Sequence, residues 1–120
     1  MKLLTALAVA ACLVVNPTTA ASATGMPSTA EIKAYAEGYV TAKGGTSQWK
    51  CFYRVINYES HWNHRAVNGR YYGLGQMANA KPRHVGKPYL QVRDAWKYMV
   101  NRYANDACGA WSHINRVGWY

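Results

Sequence analysis

The stretch SQWKCFYRVINYES, residues 47–60, carries an apolar surface that is unusually broad for one helix. Trp49, Phe52 and Ile56 recur at helical spacing, and the other large side chains between them widen the apolar face, which is typical of a helix buried on several sides. We therefore predict a helix over about residues 47–60. Its last turn holds Glu59, one of only five acidic side chains in the chain.

Glu59 lies where this helix is predicted to leave the core. The partial negative charge of a helix C-terminus disfavours an ionised carboxylate, and desolvation by surrounding aromatic rings disfavours it further, so both effects raise its pKa. A carboxylic acid that keeps its proton near neutral pH has the property that a general acid needs. The alternative is a solvated acid at a helix end, or one that pairs with Arg65 or Arg70, and the residues alone leave both open.

The rest of the chain predicts a mainly α domain over residues 28–120. Ser28 stands three residues before Glu31 in a capping-box spacing, which predicts a first helix over about 28–42 that ends at Gly44-Gly45. The segment LQVRDAWKYMVNRYA predicts a third helix, whose apolar stripe consists of Val92, Ala95, Trp96, Met99, Val100 and Tyr103. The terminal AWSHINRVGWY predicts a short helix or turn. Strand-like pattern is confined to short pieces around residues 70–74.

The first 23 residues have the pattern of a secretory signal peptide. One lysine precedes an apolar run over residues 3–15 and small residues that end at Ala23, where we place cleavage; Ala20 is the alternative. The run is too short for a membrane-spanning anchor, and lipid attachment at Cys12 is a further alternative. Residues 24–27 form a spacer. We expect a secreted, extracellular protein associated with the cell wall.

The net charge indicates which partners the protein binds, and the cysteine content indicates a disulfide. The net charge of +9, one less without Lys2, favours anionic surroundings such as anionic cell-wall polymers or a membrane surface, and export argues against nucleic acid. Export also makes a disulfide between Cys51 and Cys108 the default expectation, with about 4 kcal/mol of stabilisation. The histidines and cysteines lack the paired spacing of a zinc site, so we expect no metal. We also expect no cofactor and a monomeric protein.

ESHWNHRAVN followed by YYGLGQM resembles the catalytic motif of soluble lytic transglycosylases, in the goose-type lysozyme-like group. The remainder of residues 28–120 is similar to small secreted transglycosylase-like proteins of Gram-positive bacteria, some of which are described as aggregation-promoting factors. The positions that match the motif are Glu59, Ser60, Trp62, Asn63, Ala66, Gly73, Leu74 and Gln76.

The resemblance implies a small lysozyme-like helical domain that binds peptidoglycan glycan strands. Glu59 would act as general acid and then base on the β-1,4 bond between N-acetylmuramic acid and N-acetylglucosamine, giving a 1,6-anhydro product without a second carboxylate. The chain departs from the family at Gly75, where many members have Met, and at Ala110-Trp111-Ser112, where they have Ala-Tyr-Asn. The residues implied to bind substrate are Ser60, Tyr72, Gly75, Gln76, Met77 and Trp111.

Three alternatives stay open at this point. Hydrolysis of the same bond, as in a muramidase, would need a second carboxylate, for which Asp94 is the first candidate and Asp106 another. A cell-wall-binding or aggregation factor with little or no turnover would keep the glycan groove. A cationic membrane-active protein fits less well, because the predicted helices are aromatic and core-like and are not divided into basic and apolar faces.

Overall fold

The computed structural model describes residues 25–78 and 84–120, so the predicted signal peptide and Cys12 lie outside the described residues. The fold is mainly helical, as predicted. Along the chain it contains α1 (Thr29–Ser60), a hairpin of β1 (Val67–Asn68) and β2 (Tyr71–Tyr72), α2 (Pro88–Arg102) and α3 (Asp106–Val117). The hairpin is antiparallel and pairs Val67 with Tyr72 and Asn68 with Tyr71. Within the described residues, no helix is both long and apolar enough to cross a bilayer.

The two helices predicted over 28–42 and 47–60 are two halves of α1. Its start is the predicted capping box: the Glu31 N–H donates to Ser28 Oγ, and the Ser28 N–H donates to Glu31 Oε1, each at 3.2 Å. The halves meet at Gly45, whose φ of 84° and ψ of 176° are not helical. Glycine adopts this positive φ without the steric penalty that a Cβ would bring, so the helix changes direction there.

One core joins both halves of α1 to α2 and α3. Beside Gly44, a Cβ would lie 2.8 Å from the ring of Trp96, so the missing side chain lets the two helices approach closely. On α2 the predicted apolar face is buried at Val92, Ala95, Trp96 and Met99, whereas Val100 is 40 % exposed. The other buried apolar residues are Ile32, Ala36, Val40, Phe52, Val55, Ile56, Trp62, Leu74, Ala107, Ala110 and Ile114.

The predicted disulfide is confirmed. Cys51 in the second half of α1 bonds to Cys108 near the start of α3, across 57 positions of sequence. The terminal segment predicted as a short helix or turn is instead a helix of 12 residues. The disulfide therefore fixes α3 against the half of α1 that carries Glu59, and restricts the unfolded chain as it does so.

Candidate active site

The end of α1 is set by two consecutive residues in the left-handed region. His61 has a φ of 51° and Trp62 a φ of 62°, conformations that non-glycine residues rarely adopt. The Trp62 ring is 1 % exposed and packs against Trp49 and Tyr53, with ring centroids 5.9 and 5.3 Å apart. Burial of this indole offsets the backbone strain, and Trp62 is a core residue. The chain thus turns sharply two residues after Glu59.

Glu59 lies in a cleft of about 300 Å³ between the end of α1, the β-hairpin and the segment after α3. It is the one acidic side chain among the described residues that line this cleft. Aromatic rings and amides form most of the rest of the lining, a composition suited to an uncharged polar ligand. The lining residues are Tyr58, Glu59, Asn68, Tyr71, Gln76, Gly118, Trp119 and Tyr120.

Burial raises the pKa of Glu59 from its ordinary value of 4.5 to about 7. Across residues 25–78 and 84–120, no hydrogen bond or ion pair holds its carboxylate, so neither Arg65 nor Arg70 is its partner. Arg70 instead lies over the ring of Tyr71, with 5.4 Å between the guanidinium carbon and the ring centroid. Of the alternatives that the sequence left open, the structure favours the partly buried acid with a raised pKa.

Tyr120 forms the wall of the cleft beside Glu59. Its hydroxyl donates to the Gly75 carbonyl oxygen at 2.5 Å and lies 3.8 Å from Met77 Sδ. Burial raises the pKa of Tyr120 well above its ordinary value, and the nearby Glu59 charge raises it further, so the phenol keeps its proton. A Cβ on Gly75 would lie 2.9 Å from this hydroxyl and 3.0 Å from the Ala95 Cβ. The space beside Gly75 is therefore filled by protein side chains.

Gln76 lines the cleft and is held in place by its own amide. Its Nε2 donates to the Ala66 carbonyl at 3.1 Å and to the Gly73 carbonyl at 2.9 Å. Both amide hydrogens are used by these two bonds, which leaves the Oε1 lone pairs for a ligand that carries a hydroxyl or N–H group. Gln76 is thus a fixed hydrogen-bond acceptor on the floor of the cleft.

Besides Gly75, three of the predicted substrate-binding residues lie beside the cleft and do not line it. Ser60 is buried, and its hydroxyl donates to the Ile56 carbonyl at 3.2 Å. Tyr72 and Met77 exchange backbone hydrogen bonds of 3.1 and 3.4 Å that close the turn after the hairpin. Because side chains alternate along a strand, Tyr71 lines the cleft where Tyr72 does not. Tyr72 and Met77 thus close the turn that carries Gln76, and Ser60 bonds within its own helix.

Trp111 lies in a neighbouring cavity of about 390 Å³. The ring of Tyr58 lines both cavities and meets Trp111 edge to face, with centroids 6.4 Å apart. The two cavities therefore adjoin at Tyr58. The other residues that line the second cavity are Tyr53, Arg54, Asn57 and His61.

The sequence reasoning missed the wall formed by residues 118–120 as part of the site. Tyr58 donates to the Gly118 carbonyl at 2.9 Å, and the His113 ring nitrogen Nδ1 lies 2.6 Å from the Trp119 carbonyl oxygen. These contacts place the 53 % exposed Trp119 at the cleft. The aromatic pair after Gly118 was the only signal in the sequence, because the Tyr58–Gly118 contact joins residues 60 positions apart.

The candidate second carboxylates lie elsewhere. Asp94 faces His84, with 2.7 Å between Oδ2 and Nδ1, and lines a different cavity. Asp106 is in the first turn of α3 and does not line the Glu59 cleft. Among residues 25–78 and 84–120, no group of histidine, cysteine or acidic side chains is arranged to hold a metal ion.

No protein-family model, curated protein or solved structure matches this chain.

Proposed function

We propose that the protein is a secreted lytic transglycosylase that cleaves peptidoglycan glycan strands at the β-1,4 bond between N-acetylmuramic acid and N-acetylglucosamine. The observation that carries the proposal is the Glu59 carboxyl group, which has a pKa of about 7 and is the one acid among the described residues of the cleft. At neutral pH such a group is present in both its acid and its base form, and one cycle of general acid and base catalysis uses both forms.

The reaction needs one proton donor that later becomes an acceptor. Protonated Glu59 gives its proton to the glycosidic oxygen, and the bond from this oxygen to C1 of the muramic acid breaks. The Glu59 carboxylate then takes the proton of the muramic acid C6 hydroxyl as that oxygen bonds to C1. Glu59 is protonated again, no water is consumed, and the new chain end is a 1,6-anhydro sugar. Glycosidases of the two-carboxylate type need a second acid, which this cleft does not offer among the described residues.

The lining supports a sugar substrate. Tyr71 and Trp119 present aromatic surface at the cleft, and the apolar faces of pyranose rings pack well against such surface. Gln76 Oε1 is available to accept from a sugar hydroxyl or acetamido N–H. The second cavity, which adjoins at Tyr58, extends the surface for further units of a glycan chain.

One observation favours the alternative of a cell-wall-binding factor with little turnover. No described residue donates a hydrogen bond that orients the Glu59 carboxylate. The tyrosine that supports the acid in the resembled family falls at Trp111 in this chain, and Trp111 lies in the neighbouring cavity. A catalytic group that its surroundings do not orient loses part of the rate that positioning provides.

The test is mass spectrometry of the soluble products after the protein, with its disulfide intact, is incubated with peptidoglycan sacculi. Glu59→Gln is the inactive variant, and Glu37→Gln, an exposed position on the same helix, is the matched control. We expect muropeptides with 1,6-anhydromuramic ends from the wild type and from Glu37→Gln, and none from Glu59→Gln.

Two other outcomes would contradict the transglycosylase proposal. Reducing muramic acid ends would mean hydrolysis, with water activated by a group outside the lining of this cleft. If no protein gives products, and wild type and Glu59→Gln bind sacculi equally, the result would support a cell-wall-binding factor and not an enzyme.

A further inference from the structure

A third cavity, of about 460 Å³, lies between the first half of α1 and α2. We call it the α1–α2 groove. No residue in the described parts of the chain lines both this groove and the Glu59 cleft, and the kink at Gly45 separates the parts of α1 that the two sites use. The residues that determine its chemistry are Tyr39, Lys43, Arg93, Asp94, Trp96 and Lys97.

The groove is positively charged. Lys43, Arg93 and Lys97 are exposed, and none of them forms an ion pair with a residue in the described parts of the chain. Asp94 is the one acid at the groove among those residues, and its Oδ2 is buried against His84 Nδ1 at 2.7 Å. Three cations that converge on one concavity, with a single acid turned partly away, attract an anionic ligand.

Tyr39 holds two of these cations at the rim. Lys43 Nζ lies 5.1 Å and Arg93 Cζ 5.9 Å from the centroid of its ring, within the range of cation–π attraction. These contacts restrict the two side chains and leave their N–H groups free to donate to a ligand. Arg93 can also present two parallel donors to one phosphate group.

The same aromatic residues offer no open ring face. The Tyr39 ring contacts the two cations and stacks on Tyr35, with centroids 6.0 Å apart and planes 15° apart. Trp96 is 5 % exposed, because it packs in the core. Proteins that bind single-stranded nucleic acid stack bases on exposed rings, and this groove lacks such a platform within the described residues. Its recognition elements are therefore suited to the charged links of a chain that carries no bases.

We propose that the α1–α2 groove binds one strand of a polyanion in which polyol units are joined by phosphodiesters. A cavity of this size has room for a single flexible strand. The site acts apart from Glu59 and holds the protein on the polymer while the cleft remains accessible. The binding is electrostatic, so it weakens as salt is added.

The test is calorimetric titration of the disulfide-bonded protein with a short synthetic poly(glycerol phosphate). The groove variant is Lys43→Ala/Arg93→Ala/Lys97→Ala. Its control is Lys50→Ala/Arg65→Ala/Arg116→Ala, which removes the same charge at exposed positions that line none of the three cavities. We expect the groove variant to bind about tenfold more weakly, from contributions of roughly 0.5 kcal/mol for each cation, and the control to bind within about twofold of the wild type.

Glu59→Gln separates this proposal from the proposed enzyme function, because it is expected to bind poly(glycerol phosphate) as the wild type does whether or not the protein cleaves glycan. Lys97→Glu alone, at an exposed position, tests the groove if the triple variant does not fold. Equal weakening in the groove variant and the control would overturn the proposal and show diffuse attraction. Tighter groove-dependent binding of a single-stranded oligonucleotide, or of vesicles of phosphatidylglycerol, would overturn it in favour of that partner.

Discussion

Glu59→Gln is expected to make the protein more stable at alkaline pH. In the folded protein the pKa of Glu59 is about 7, whereas its ordinary value is 4.5. The folded chain therefore keeps a proton that the unfolded chain releases as the pH rises from 4.5 to 7, so the free energy of unfolding falls through this window. Glutamine resembles the protonated acid and removes that loss.

The size of the effect follows from the two pKa values. At ~1.4 kcal/mol for each pKa unit, the limit is about 3 kcal/mol. Because the Glu59 side chain remains partly open to solvent, screening reduces this to an expected gain of about 1–2 kcal/mol at pH 8. At pH 4, where both folded and unfolded chains hold the proton, the variant and the wild type are expected to have similar stability.

The assay is urea unfolding of wild type, Glu59→Gln and Glu37→Gln at pH 4 and pH 8, followed by fluorescence. Glu37→Gln controls for the loss of one negative charge from a chain with a net charge of +9. The reasoning is refuted if Glu59→Gln has no advantage at pH 8, if its advantage is the same at pH 4, or if Glu37→Gln gains as much. This test does not require the protein to be an enzyme.

Three further predictions concern the cleft and the disulfide. If Glu59 is the general acid, kcat/KM on sacculi, measured by turbidity, should fall about tenfold per pH unit above pH 7 as the carboxyl group loses its proton. Tyr120→Phe should lower the free energy of unfolding by about 1–3 kcal/mol in urea titrations, because the Gly75 carbonyl loses its donor. Cys51→Ser/Cys108→Ser should lower it by about 2–5 kcal/mol, measured by thermal unfolding.

For each of these three predictions, one result would contradict the reasoning. A pH profile that stays flat from pH 6 to pH 9 would exclude Glu59 as the proton donor. Tyr89→Phe, at a 38 % exposed ring, is the control for loss of a phenol hydroxyl, and an equal effect there would remove the role assigned to the Tyr120 hydrogen bond. A double serine variant as stable as the wild type would show that packing alone holds α3 on α1.

Local signals in the sequence predicted the helices well. The Ser28–Glu31 capping box and the glycine pair at 44–45 mark the start of α1 and its kink, because both depend on residues within a few positions of each other. The position of Glu59 at the end of a buried helix followed from the same kind of signal. Sequence periodicity placed Val100 on the buried face of α2, although it is exposed, because the neighbouring helices cover only part of that face.

The composition of the cleft could not be derived in the same way. The Tyr58–Gly118 and Tyr120–Gly75 hydrogen bonds join residues 60 and 45 positions apart, and no local pattern encodes such pairs. The choice between Tyr71 and Tyr72 as a lining residue depends on the register of a two-residue strand, which a shift of one position would reverse.

Residues 118–120, which form one wall of the cleft, can detach from it as a local opening of the structure. Gly118 to Tyr120 lie after the last helix. They are held by hydrogen bonds to Tyr58, Gly75 and His113 and by ring contacts with Tyr98, Arg102 and His113. Such a segment can detach while the core stays folded. Detachment would rehydrate Glu59 and lower its pKa, so by linkage the loss of the Glu59 proton must favour detachment. The ring signals of Tyr120 in NMR spectra should therefore move toward those of a solvent-exposed tyrosine as the pH rises from 6 to 8.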